Sequence, residues 1–286
     1  MTVVDAHHHL WDPARRDYAW MTGDLAPLRR RFALEDLRAA APDVEATVCV
    51  EAAMEEAETV ELLALAEASH GLVVGVVGWT DLTAPAVAER IAALRERPGG
   101  GRLVGIRHHV QDEPDPEWLL RDDVLRGLRA VADAGLRFDL LVRPPQLAAA
   151  RRAVELVDDL AVVLDHCGKP DVAAGAWEPW SADVARLAAI DRVHCKLSGL
   201  VTEARWDSWR AEDIEGYAER ILELFGPERV MFGSDWPVCT LAASHAEVLE
   251  LAQGFLTGLS AGERHAVLAG TARRFYGLRV PVARVQ

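Results

Sequence analysis

Val193-His-Cys-Lys-Leu197, the apolar stripe Ile214, Ala218, Ile221, Leu222 and Phe225, and Arg229-Val-Met-Phe232 together decide the fold of this chain. The two short runs have the length and apolar character of buried strands, and the segment between them repeats its apolar residues at helical spacing. Strand, amphipathic helix and strand in that order make a parallel pair joined by a crossover helix.

The unit repeats outward from this stretch. Strand-like runs lie at residues 3–6, 46–50, 72–79, 103–106, 137–142, 161–165, 193–197 and 229–232, and a second clear helical stripe is Val248, Leu251, Ala252, Phe255 and Leu259. A further helical run over residues 261–276 follows the eighth unit and is expected to cap or flank the barrel. No linker rich in Pro, Gly or Ser is long enough to separate one domain from another. The expectation is one α/β domain over residues 1–286, a closed (β/α)8 TIM barrel with an additional C-terminal helix, rather than an open doubly wound sheet.

Composition narrows the function. The chain has 286 residues, half of them apolar, and a formal net charge of -14, so the average field repels nucleic acid and anionic membranes. The N-terminus lacks a basic region followed by an apolar stretch, and no transmembrane run occurs, so a cytoplasmic location is expected. Cys49, Cys167, Cys195 and Cys239 are widely spaced without a CxxC pair and read as reduced thiols. Oligomeric state is silent in the sequence.

Ionisable residues gather at the C-terminal ends of the strands, where barrels of this kind place their active sites. Asp5-Ala-His7-His-His9 closes the first strand, and strict alternation would put Asp5, His7 and His9 on one face. Two imidazoles at i and i+2 can grip one divalent ion. Asp165-His166-Cys-Gly168-Lys169-Pro170 closes the sixth strand, and Gly233-Ser-Asp235-Trp236-Pro237 closes the eighth. Glu51, Arg107 with His108, and Arg143 end the second, fourth and fifth. Two long loops, residues 11–32 and 112–119, place Trp11, Tyr18 and Trp20 either along a pocket or packed against the barrel.

These motifs, in this order and over nearly the whole chain, resemble the amidohydrolase superfamily, in particular its amidohydrolase 2 branch of sugar-acid and pyrone dicarboxylate lactonases. The resemblance implies that His7 and His9 are the paired first-strand histidines, His166 the sixth-strand histidine, Asp235 the acid that deprotonates water and Arg107 a substrate anchor. His7, His9 and Asp235 are then the candidate ligands of one zinc-like divalent ion. At the fifth strand, where metal-dependent members present a histidine or a carboxylated lysine, this chain presents Arg143, so a metal-independent site stays open beside the metal-bound one.

A rim of this kind suits hydrolysis of a sugar lactone such as L-fucono-, L-rhamnono- or galactonolactone. Asp235 would activate water, His166 and Arg107 would polarise the carbonyl, and His7 and His9 would orient the water. Arg107, His108, Lys169, Arg143, Trp20 and Trp236 are the expected substrate contacts. The alternative is a metal-dependent decarboxylase of an aromatic or muconate-like acid on the same barrel. A barrel that binds a sugar acid without turning it over is the reading outside enzymology.

Overall fold

Eight strands, all parallel and hydrogen-bonded in sequence order, form the wall of the protein in the computed structural model, which describes residues 2–279. They are β1 Val4–His8, β2 Ala46–Val50, β3 Val73–Gly78, β4 Leu103–His108, β5 Arg137–Leu140, β6 Val162–Leu164, β7 Val193–Leu197 and β8 Val230–Phe232. The wall closes where His9 N donates to the Trp236 carbonyl at 2.7 Å and Asp235 N donates to the His7 carbonyl at 2.8 Å. The architecture is a (β/α)8 barrel, as the eight runs predict. Of the span 1–286 expected to share one barrel, residues 1 and 280–286 lie outside the described residues.

Crossover helices cover the outside. They are α1 Leu34–Ala40, α2 Glu56–Ala68, α3 Val87–Arg95, α4 Asp122–Asp133, α5 Leu147–Glu155, α6 Trp180–Ala188, the short α7 Leu200–Glu203, α8 Ala211–Phe225 and α9 His245–Phe255. Ile214, Ala218, Ile221 and Phe225 of α8 are buried, so the stripe read from sequence is the face laid on the sheet. The strands are buried on both sides, which is why β3 reads Val-Val-Gly-Val-Val-Gly without polar alternation.

The run over residues 261–276 is three pieces: α10 Ala261–His265, a π-helical turn Ala266–Gly270 and α11 Thr271–Tyr276. It caps rather than flanks. Ala269, Ala272, Phe275 and Tyr276 join Val4, Ala6, Val48, Val77, Val163 and Met231 in a separate buried cluster. Arg137 Nε donates to the Phe275 carbonyl at 2.6 Å, which pins this plug to the start of β5. Burial of so much aliphatic and aromatic surface, at about 25 cal/mol per Å², closes the floor of the barrel against water.

Strict alternation fails in β1. Its pairing with β2 slips between Asp5 and His8, and this bulge sends Asp5 out of the barrel while His7 stays inside. Asp5 instead accepts from Ser234 N at 2.9 Å, Ser234 Oγ at 2.6 Å and His7 N at 3.1 Å, and faces His245 of α9 at 3.2 Å. It ties β1, β8 and α9 together from outside the site.

Candidate active site

Four side chains meet at the C-terminal mouth. His7 Nε2 lies 3.2 Å from His9 Nε2 and 3.7 Å from Asp235 Oδ1, His9 Nε2 is 3.3 Å from the same oxygen, and His166 Nε2 is 4.0 Å from it. They come from the end of β1 and the residue that follows it, the turn after β6 and the turn after β8. Sequence separation hides this convergence and barrel closure creates it.

Local backbone aims each group. Asp235 has φ of +57°, and His166, Cys167 and Lys169 have φ of +51°, +55° and +51°, all in the left-handed region that L residues other than glycine enter at a cost. Gly199 makes room for His166, since a Cβ there would stand 2.6 Å from its Nδ1. Gly233 does the same for His7, with a Cβ position 2.7 Å from the His7 Cβ. His9 Nδ1 donates to the Val50 carbonyl at 2.8 Å, leaving the Nε2 lone pair towards Asp235. His166 Nδ1 is 2.9 Å from Ser198 Oγ.

Charge is concentrated beneath the floor. Arg107 Nε donates to Glu51 Oε1 at 2.7 Å, its NH2 donates to the Glu51 carbonyl, and its NH1 lies 3.3 Å from both Asp165 Oδ2 and His7 Nε2. Lys196, wholly buried, contacts Asp139 Oδ2 at 2.5 Å, Asp165 Oδ1 at 3.0 Å and His7 Nδ1 at 3.0 Å. Tyr276 of the C-terminal plug donates to Asp139 at 2.8 Å. Two cations, Arg107 and Lys196, thus pair with the three carboxylates of Glu51, Asp139 and Asp165 in a buried layer.

Burial pushes the Asp235 carboxyl up, but His166, His9 and Lys169 outweigh it, and the group lies below the ordinary range. Burial takes the His166 imidazole down to about 4 despite Asp235, so it is neutral at pH 7. Burial and Lys196 hold His7 well below its usual value. The floor therefore joins an ionised carboxylate to neutral imidazoles, one combination that can take a proton from water.

A tetrahedral ion with bonds of about 2.0–2.1 Å spaces its donors about 3.3 Å apart. The separations of 3.2, 3.3 and 3.7 Å among His7, His9 and Asp235 match that spacing, and the trio is open on the cavity side. These three donors fit a divalent ion. His7, Asp165 and His166 form a second close group, but Asp165 is engaged by Lys196 and Arg107.

Above the floor is a cavity of about 510 Å³ whose wall includes His9, His166, Asp235, Arg107, Lys169, Arg143 and Trp20. The structure brings these sequence candidates together, with His7 directly beneath. It does not bring His108 or Trp236. His108 faces outward, stacked on Trp118 with ring centroids 4.1 Å apart, and bonded to Glu113 at 2.7 Å. Trp236 packs edge-on against Phe32, buried at the barrel seam.

His109 stands in the wall instead and bonds Glu51 at 3.1 Å. Period-two alternation from Arg107 points to His109 rather than His108, so that signal was present. Trp11 and Tyr18 pack their loop, Trp11 donating to the Leu28 carbonyl at 3.0 Å and Tyr18 to Glu58 at 3.0 Å, while Trp20 alone of the three reaches the cavity. Lys196 and Asp139 were not expected in the site. Their signal is a charged residue facing inward in an otherwise apolar strand.

A family model described as amidohydrolase matches residues 4–278. The L-fucono-1,5-lactonase of Burkholderia multivorans is 40% identical over 97% of each chain, and that of Burkholderia ambifaria is 38% identical over 84% of this chain and 81% of the relative. The crystal structure of an amidohydrolase from Burkholderia multivorans with bound zinc superposes with a TM-score of 0.90 at 39% identity, covering 98% of this chain and all of that one. With a matching barrel, a matching order of strand-end residues and relatives aligned along nearly their whole length, the chain belongs to the amidohydrolase family.

Proposed function

We propose that this protein is a hydrolase that opens a sugar-acid 1,5-lactone of the L-fucono class, cleaving the ring ester to give the free hydroxy acid. One observation carries the reading. A buried carboxylate, Asp235, faces three imidazoles at 3.3 to 4.0 Å on the floor of a cavity, in a chain 40% identical to an L-fucono-1,5-lactonase. The decarboxylase alternative has no comparable support.

Asp235 takes a proton from water as its oxygen bonds to the lactone carbonyl carbon. Arg107 and the neutral His166 stabilise the developing oxyanion. The tetrahedral adduct collapses by breaking the ring C–O bond, and the leaving alkoxide recovers the proton from Asp235. Lys169, Arg143 and Trp20 contact the sugar from the wall. His7, His9 and Asp235 would hold a zinc-like divalent ion, which when bound supplies Lewis acidity and a lowered water pKa. Buried free thiols at Cys49, Cys167, Cys195 and Cys239 support a cytoplasmic setting.

The test is a pH-indicator assay of aldono-1,5-lactones. Acid release by the wild type that is lost in Asp235→Asn supports the assignment. Absence of turnover on every lactone overturns it and directs the search to carboxylated substrates and CO₂ release.

A further inference from the structure

Most polar groups in the cavity wall are already engaged. Arg107 is held by Glu51 and Asp165, Lys169 pairs with Glu203 at 2.9 Å, and His109 bonds Glu51 at 3.1 Å. The indole nitrogens of Trp20 and Trp206 donate to the carbonyls of Ala52 and Thr202, at 2.8 and 2.9 Å. Gln111 is different. It lines the same cavity, and its buried Oε1 has no hydrogen-bond partner among the described residues.

The backbone that carries this side chain is firmly held. Gln111 lies in the 3₁₀ turn Val110–Asp112 that follows β4. Its N donates to the Leu141 carbonyl at 3.1 Å, Asp112 N closes the turn on the His109 carbonyl at 3.0 Å, and Gln146 Nε2 donates to the Val110 carbonyl at 2.6 Å. A side-chain amide left without partners on a well-bonded turn at the cavity wall is a place prepared for a polar group from outside the protein. Past the end of β5, the exposed Arg143 extends the same side of the wall. In a closed eight-stranded barrel, β4 and β5 stand opposite β8 and β1, which carry Asp235, His7 and His9.

We infer that Gln111 is a specificity-determining residue for the lactonase reaction proposed above, on which this inference rests, with its side-chain amide hydrogen-bonded to a ring hydroxyl. The lactone then lies across the mouth with its hydroxylated edge towards β4 and β5 and its ester carbonyl towards Asp235. The arrangement selects polyhydroxylated lactones over alkyl lactones of the same ring size. A hydroxyl suits a primary amide because each group both donates and accepts.

The experiment compares kcat and KM for L-fucono-1,5-lactone and δ-valerolactone in the wild type, Gln111→Leu and Gln111→Glu. The expected result is a fall of about 10- to 100-fold in the sugar-lactone to δ-valerolactone ratio of kcat/KM in Gln111→Leu, expressed mainly in KM, with partial recovery in Gln111→Glu. An unchanged ratio, whether both rates fall together or neither moves, overturns the role of Gln111 and leaves the lactonase reading standing. A wild type that hydrolyses neither compound overturns the lactonase reading and this inference with it.

Discussion

Lys196 Nζ sits 3.0 Å from His7 Nδ1, so the imidazole nearest the centre of the site rests on a buried ammonium. That ammonium is clamped by Asp139 and Asp165, and Asp139 is held in turn by Tyr276 of the C-terminal plug. A chain of direct contacts therefore runs from the floor of the barrel to the reacting groups at its mouth.

Replacing Lys196 by Met leaves Asp139 buried against Asp165 with one cation fewer. Breaking a buried ion pair by removing one partner costs about 3–5 kcal/mol. Chemical denaturation should show a loss of that order for Lys196→Met, and Lys196→Met with Asp139→Leu should recover most of it. A double variant no more stable than the single one would show that the pair is not what stabilises this layer.

Asp5 bonds the backbone nitrogens of His7 and Ser234 as well as the Ser234 hydroxyl, yet it points away from the cavity. Asp5→Ala leaves those buried donors open, at about 1–3 kcal/mol each for the worst placed. The expected outcome is a lower melting temperature with a fall in kcat and a nearly unchanged KM, read from thermal unfolding and steady-state kinetics.

Asp235→Asn keeps the shape of the carboxylate but cannot accept the proton of water. Its kcat should fall about 10²- to 10⁴-fold, the usual contribution of a general base, with an unchanged circular dichroism spectrum. Retention of more than a tenth of wild-type kcat would remove Asp235 from the proton-transfer step.

Zinc should bind chelator-stripped protein at one equivalent. His7, His9 and Asp235 present donor atoms 3.2 to 3.7 Å apart, the spacing of ligands around one tetrahedral ion. Titration calorimetry measures that stoichiometry, and His9→Ala should abolish the high-affinity site.

Burial, assisted by the charge of Glu51, pushes the Glu58 carboxyl up to about 7 although it accepts from Ala52 N and Ala53 N at 2.8 and 2.7 Å. A carboxyl raised in the fold binds its proton more tightly there than in the unfolded chain. Its contribution is complete below the unfolded pKa of about 4.5 and is lost as pH rises to about 7, amounting to roughly 3 kcal/mol. Glu58→Gln mimics the protonated form, so the wild type should lose stability relative to it across that window. A constant difference between the two from pH 4.5 to 7 would show that Glu58 does not titrate there.

The barrel was legible because strand and helix each impose a period on burial, and runs such as Val193–Leu197 and stripes such as Ile214 to Phe225 display those periods locally. His7, His9, His166 and Asp235 were legible for a related reason. Each is ionisable and stands at or just past the C-terminal end of a largely apolar strand, and closure of the barrel carries all strand ends to one rim.

What the residues alone determined was thus the number of strands, their parallel order and the rim on which chemistry could gather. Tertiary structure decided which rim residues face inward. The β1 bulge turned Asp5 out, the stacking of His108 on Trp118 left His109 in the wall, and the left-handed turns at His166 and Asp235 aimed those side chains at one another. It also placed Lys196 and Tyr276 beneath the site. Periodicity is a local property of the chain, whereas a side chain's final direction depends on which distant backbone and charge it meets, and only the folded barrel supplies those.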